Sequence, residues 1–171
     1  KFYFIDNEYY FKREGEIAYL YGYGDDAERY TFFSNAVLEA MSILNFYPDI
    51  VHLNDWHTGM IPLILKEKYS HSKKYKNIKT VYTIHNLQYQ GVFSDSIIED
   101  VLDIPRAYYN NGDIEYYGGV SFMKSGIVFS DKVIAVSPTY SNEIQTEFYG
   151  EGLDGLLKSC LLYTSPSPRD A

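Results

Sequence analysis

The chain has 171 residues, of which 46% are hydrophobic, 22% charged and 18% aromatic, including 19 tyrosines. Such a chain can bury a core, which excludes intrinsic disorder and suits one domain or a large piece of a two-domain protein. Its net charge of −8 argues against a nucleic-acid or anionic-membrane surface, and its one cysteine fits a reducing compartment.

No signal segment opens the sequence and no apolar run reaches membrane-span length. It starts on Lys1 rather than methionine, so it is expected to begin inside a longer protein. In chain order, residues 2–6 read as a short strand and 8–13 as a polar loop. Glycines among tyrosines between Gly15 and Asp26 predict a functional loop. Asp25 and Asp26 cap a helix over 27–44, with Tyr30, Phe33, Val37, Ala40, Met41 and Leu44 at steps of three and four. A strand at 49–53 and a helix at 59–69 follow, with Pro62 tolerated in the first helical turn. A lysine-rich linker at 70–79 leads to a β-branched strand at 80–84 and a short helix at 94–102. Residues 106–119 read as a Tyr/Asn/Gly-rich loop, 120–129 as a helix and 132–136 as a strand. A last helix runs from Ser137-Pro138 to about residue 149, and 164–171 read as an unstructured end. Apolar, β-branched strands alternating with helices predict an α/β fold, a Rossmann-like parallel sheet with helices on both faces.

In an open parallel α/β sheet, ligands bind beyond the carboxyl ends of the strands. Asn54, Asp55, Trp56 and His57 follow one strand, His85, Asn86 and Tyr89-Gln90-Gly91 the next, and Ser137-Pro138 a third. Polar groups with hydrogen-bonding or acid–base capacity therefore collect at three strand ends. Ordinary alternatives exist: Asp55 as a helix cap, His57 as a surface residue, Asn86 as a turn former. His85 ends an apolar strand ahead of an asparagine and a glycine-containing loop, which favours function, whereas His52 lies within a strand and reads as a core histidine. No tight metal-ligand spacing occurs, so no metal is expected. Gly150-Glu-Gly152-Leu-Asp-Gly155 is a literal GxGxxG that follows a helix rather than a strand, and it reads as a flexible loop or hinge. The lysines between Lys66 and Lys79 read as a solvated face. Tyr108, Tyr109, Tyr116 and Tyr117 beside Asn110, Asn111 and Asp113 suit a packed loop or a sugar-binding surface.

Five stretches carry a more specific signal. Asp49-Ile-Val-His-Leu-Asn-Asp-Trp-His-Thr-Gly59, Tyr82-Thr-Ile-His-Asn-Leu-Gln-Tyr-Gln-Gly91 and Gly118-Gly-Val-Ser-Phe-Met-Lys-Ser-Gly126 are three of them. Ala135-Val-Ser-Pro-Thr-Tyr140 and the order Glu143-Ile-Gln-Thr…Gly152-Leu-Asp-Gly155 complete the set. Together, and in this order, they resemble the bacterial glycogen synthase and plant starch synthase family. The resemblance implies a retaining glucosyltransferase of two facing Rossmann-like domains (the GT-B fold), moving glucose from ADP-glucose to the non-reducing end of an α-1,4-glucan. Residues 1–158 would be a partial N-terminal, acceptor-side domain, and 159–171 a non-native or disordered tail in which Cys160 has no role. The resemblance gives Asp55 and His85 catalytic roles and assigns His57, Asn86, Gln90 and Tyr21 to substrate binding. It implies no cofactor and no metal, with ADP-glucose and glucan as partners and neither nucleic acid nor membrane. The compartment would be a bacterial cytoplasm or a plastid stroma. A Lys-Thr-Gly-Gly-type loop ahead of Lys1 and a second domain would supply the cations that grip the nucleotide. Rival readings are another two-domain retaining glycosyltransferase, sucrose-synthase-like or glycan-building, and a non-catalytic glucan-binding module.

Overall fold

A computed structural model describes residues 1–13, 19–160 and 162–164. The first elements are α1 (Glu8–Phe11), α2 (Asp26–Ile43) and β1 (Ile50–Asn54), then a 3-10 turn (Trp56–Thr58), α3 (Ile61–Tyr69) and β2 (Lys79–Ile84). A short strand β3 (Val92–Ser94), a π-helical turn (Ile98–Leu102), α4 (Ala107–Asn110) and the pair β4 (Glu115–Tyr116) and β5 (Gly119–Ser121) follow. The chain continues through α5 (Phe122–Phe129), β6 (Lys132–Ala135), α6 (Pro138–Glu143), α7 (Asp154–Ser159) and β7 (Leu162–Thr164).

The main sheet is parallel throughout, in the order β1-β2-β6-β7, and helices flank it. Its strands are the β-branched runs of the sequence, each followed by a turn and a helix that carries the chain to the next parallel strand. The register Asn54↔Thr83 and Ile84↔Ala135 brings the carboxyl ends of β1, β2 and β6 to one rim. Ile61, Leu63 and Ile64 of α3 and Phe122, Met123 and Ile127 of α5 are almost fully buried with Leu53, Tyr82 and Ile84 of the strands. A second, antiparallel sheet, β3-β5-β4, lies beside this core. It is fixed by the Phe122 and Met123 amides donating to the Gly91 and Gln90 carbonyls.

At the other end of the sheet order, β1 pairs with β2 alone among the described residues. Its alternate positions Ile50, His52 and Asn54 are exposed while Val51 and Leu53 are buried. Among the described residues no helix is long and apolar enough to cross a membrane.

Several local expectations are corrected. Residues 2–6 form no strand; Phe2 and Phe4 are 91% and 89% exposed, and alternation without a partner strand builds no ladder. Residues 8–11 make a helical turn instead of a loop, capped by Asn7 accepting from the Tyr10 amide. The apolar stripe on α2 is only half used: Tyr30 and Met41 are buried, Leu44 is exposed, and Phe33, Val37 and Ala40 line an open groove with Tyr3 and Phe46. The stretch 94–102 divides into a strand and a π-helical turn, and 106–119 contains a helix and a hairpin. The helix expected to reach residue 149 stops at Glu143, whose carbonyl is taken by the Thr146 amide and hydroxyl. Leu162–Thr164, expected to lie outside the core, extends the sheet as β7 against β6. The segment 165–171 of the expected tail, like residues 14–18 of the glycine–tyrosine loop, lies outside the described residues.

Gly126 of α5 faces the Tyr82 ring so closely that a Cβ would sit 2.4 Å from two ring carbons. A helical Gly→Ala exchange normally stabilises by up to about 1 kcal/mol. Here the overlap should reverse the sign, so Gly126→Ala should destabilise the fold by about 1–3 kcal/mol, read from urea unfolding midpoints.

Candidate active site

The rim begins with a bridge between strand ends. Asp55 follows β1, and its Oδ1 accepts the His85 amide at 2.8 Å and the Asn86 amide at 3.3 Å, both just past β2. Its own amide donates to the Thr83 carbonyl, prolonging the ladder by one residue. To aim its carboxylate this way Asp55 adopts φ 54° and ψ −178°, a region where side-chain-bearing residues are strained by about 1–3 kcal/mol. It makes no helix-capping bond, so the capping alternative is set aside.

His85 is exposed, and its Nε2 donates to Asn54 Oδ1 at 2.9 Å, which leaves Nδ1 as the acceptor. Asn54 is fastened in turn by Thr58, whose hydroxyl accepts the Asn54 amide and donates to its carbonyl. Asn86 is exposed, with its Oδ1 accepting the Gln88 amide in an Asx turn. Past β6, Ser137 caps α6 through the Tyr140 amide, and the Tyr140 hydroxyl accepts the Leu87 amide from the β2 side. Three strand ends are thereby tied together by side chains.

His57 sits in an aromatic nest. Its ring stacks on Trp56 at 4.1 Å between centroids, with Tyr30 at 4.8 Å and Tyr21 at 5.1 Å. Tyr21 also meets Trp56 and Tyr89, each at 5.8 Å. Gly91 closes the floor; a Cβ there would lie 2.2 Å from the Trp56 indole, and its φ of +58° suits glycine. Burial lowers the His57 imidazole from its ordinary 6.5, outweighing the upward pull of the Asp55 and Asp26 carboxylates. His57 Nε2 is buried with no hydrogen-bond partner among the described residues.

Placement bears on three further expectations. Gln90, expected to bind substrate, is largely buried at the edge of an open pocket lined also by Tyr21, Trp56 and Tyr89, and its amide is engaged within the fold: Nε2 donates to the Glu151 carbonyl and Tyr116 hydroxyl, while Oε1 accepts from Ser121. It acts as a clasp. With Tyr116, which also donates to the Glu151 carbonyl, it pins the GxGxxG loop that was expected to hinge. His52 is satisfied but not in the core; it is exposed and lies 2.7 Å from Thr83 Oγ1. The lysine run is partly engaged, with Lys68 reaching the Leu102 carbonyl and Asp103, and Lys79 reaching Asp131. Sequence reasoning placed Asn54 at the strand end without a role, and missed Thr58, Tyr30 and Tyr140 as parts of the rim. Only their position just past strands or on the α2 stripe could have signalled them.

A parallel α/β sheet with polar side chains gathered at its carboxyl edge defines a domain of the open α/β ligand-binding class. Residues 1–159 match the starch synthase catalytic domain, and the chain belongs to that family. It is 70% identical over 158 residues to a glycogen synthase of Clostridioides difficile, covering 92% of this chain and 33% of that protein. A glycogen synthase of Caldicellulosiruptor saccharolyticus is 56% identical over 156 residues, covering 91% and 32%. The solved catalytic domain of starch synthase IV from Arabidopsis thaliana, bound to ADP and acarbose, superposes with TM-score 0.76 at 31% identity, covering 84% of this chain and 30% of that one. The chain thus spans about a third of the length of these relatives.

The lowered His57 value has a consequence for stability. As pH falls below 6.5 the unfolded chain takes up this proton before the folded one, so stability is full above that value and declines below it. Urea midpoints should drop more between about pH 7.5 and 5.5 in the native chain than in His57→Gln; equal drops would exonerate His57.

Proposed function

We propose that this chain is the acceptor-side part of a glycogen or starch synthase, over residues 1–158, and that the whole protein transfers glucose from ADP-glucose to the non-reducing end of an α-1,4-glucan with retention. What supports the reading is the match of residues 1–159 to the starch synthase catalytic domain joined with Asp55, His85 and Asn86 on one rim. The Arabidopsis relative is bound to ADP and acarbose, which supports a nucleotide and a carbohydrate as ligands of the whole protein.

Glycosyl transfer passes through an oxocarbenium-like state, so the site must hold two sugars in register and exclude water. In this reading Asp55 does so twice. Its Oδ1 fixes the backbone that carries His85 and Asn86, and its other oxygen receives sugar hydroxyls. His85, with Nε2 held by Asn54, offers Nδ1 to a hydroxyl of the transferring glucose, and Asn86 offers its amide beside it. Burial opposes a charge on His57, so its ring, stacked on Trp56, serves this site as a neutral platform beneath Tyr21. Tyr21, between His57 and Tyr89, gives an acceptor sugar an aromatic face. The leaving diphosphate needs a cationic grip, which this set of carboxylate, imidazole, amide and phenol groups does not supply. That grip belongs to the remainder of the full-length protein.

The chain alone should therefore incorporate no labelled glucose from ADP-glucose into glycogen. A chimera in which it replaces the matching third of the Clostridioides difficile relative should be active. His85→Ala in that chimera should lower turnover about 100-fold or more, the scale of one well-placed polar group lost from a transition state. An inactive chimera that folds, or an unaffected His85→Ala variant, would contradict the reading.

A further inference from the structure

A fully buried charged pair lies behind the aromatic nest. Arg29 and Asp26, one helical turn apart at the start of α2, are 2% and 4% exposed, and Arg29 Nη1 meets Asp26 Oδ1 at 2.5 Å. Burying two charges is costly, and such a pair persists only when further hydrogen bonds satisfy both groups. Both are satisfied from α1 and from the loop ahead of α2. Arg29 Nε donates to the Tyr10 carbonyl at 2.8 Å and Nη2 to the Leu20 carbonyl at 3.2 Å. Asp26 Oδ2 accepts the Gly22 amide at 2.5 Å and the Tyr23 amide at 3.0 Å. The Tyr30 hydroxyl adds a second bond to the Leu20 carbonyl at 2.6 Å.

These partners bracket one residue. The Leu20 carbonyl belongs to the peptide unit before Tyr21, and the Gly22 amide to the unit after it. Both peptide units that orient Tyr21 are thus clamped, one by the guanidinium and one by the carboxylate. Gly22 has φ +101°, which lets the chain reverse between the two grips. The rings of Tyr23 and Tyr30 also lie against the guanidinium, at 5.1 and 5.3 Å from its carbon. Tyr21 itself is the solvent-side wall of the nest, 36% exposed, and makes no side-chain hydrogen bond among the described residues. Its ring is therefore directed by its backbone and its aromatic neighbours.

We infer that the Asp26–Arg29 pair is a positioning device that holds Tyr21 over His57 and Trp56 as the stacking face for a glucan acceptor. The inference rests on the proposed function for the identity of the ligand, and not for the clamping itself. Lysine cannot replace the arginine, because only the planar fork reaches Asp26, Tyr10 and Leu20 together.

The test uses the whole 171-residue chain and its single tryptophan, Trp56. Maltoheptaose binding is followed by Trp56 fluorescence, and Tyr21 ring resonances, shifted by the Trp56 and His57 rings, are followed by NMR. Arg29→Lys with Tyr30→Phe keeps the charge pair and removes both grips on Leu20. The expected result is displacement of the Tyr21 resonances towards unstructured values, and maltoheptaose affinity at least about tenfold weaker, or roughly 1.4 kcal/mol. In a Tyr21→Ala background the same double change should cost almost nothing more, because the pair acts through Tyr21. An undiminished loss in that background, or unmoved Tyr21 resonances in the folded variant, overturns the inference. If the native chain binds no maltoheptaose, the proposed ligand is wrong and the resonances alone decide the clamp. Should the double variant not fold, Arg29→Lys alone is read in the same way.

Discussion

One carboxylate organises the rim. Asp55 leaves β1 in a strained backbone conformation and spends Oδ1 on two consecutive amides beyond β2. Parallel pairing alone would bring the ends of β1 and β2 within reach, but it would leave the first turn of each connection free to wander. The bridge makes that turn part of the sheet. His85 gains a fixed backbone from Asp55 and a fixed ring from Asn54, so a polar histidine can stand exposed without being loose. Such strain persists only where the surroundings over-determine it, and here the Thr83 carbonyl, the Thr58 hydroxyl and the 3-10 turn supply the over-determination.

Around this bridge the aromatic side chains divide the labour. Trp56 is buried and gives the nest its floor, Gly91 allows the indole its room, and His57 stacks above. Tyr30 points its hydroxyl away from the nest to the Leu20 carbonyl while its ring contributes a wall. The loop behind the hairpin is held just as firmly, since Gln90 and Tyr116 both converge on the Glu151 carbonyl.

The parallel strands were legible because their β-branched runs are long enough to pair and are bounded by turn residues. The rim was legible for a topological reason: the residue after a parallel strand must lie at the carboxyl edge, whatever packs around it. That reasoning reaches Asp55, His57, His85 and Asn86 without any tertiary information. It cannot separate Gln90 from its neighbours, because the partners that bury Gln90 lie 26 and 61 residues further along the chain. It also cannot see that residues 2–6 find no strand to pair with, or that Thr146 ends the helix after Ser137 early. Local pattern fixes period and face; which face finds a partner is decided by the rest of the fold.

The unshared edge of β1 bears on how the chain behaves in concentrated solution. Exposed Ile43, Phe46 and Ile50 lie on or near a strand whose backbone has an open row of donors and acceptors among the described residues, the arrangement by which sheets extend from one molecule into the next. What opposes that encounter is the long-range repulsion of a chain carrying a net charge of −8. Repulsion of this kind reaches about 30 Å in 0.01 M salt and only about 3 Å in 1 M, whereas strand pairing is a contact interaction that salt does not screen. Added salt therefore weakens the one long-range force that opposes such an encounter, while leaving the contact chemistry of the strand edge as it is.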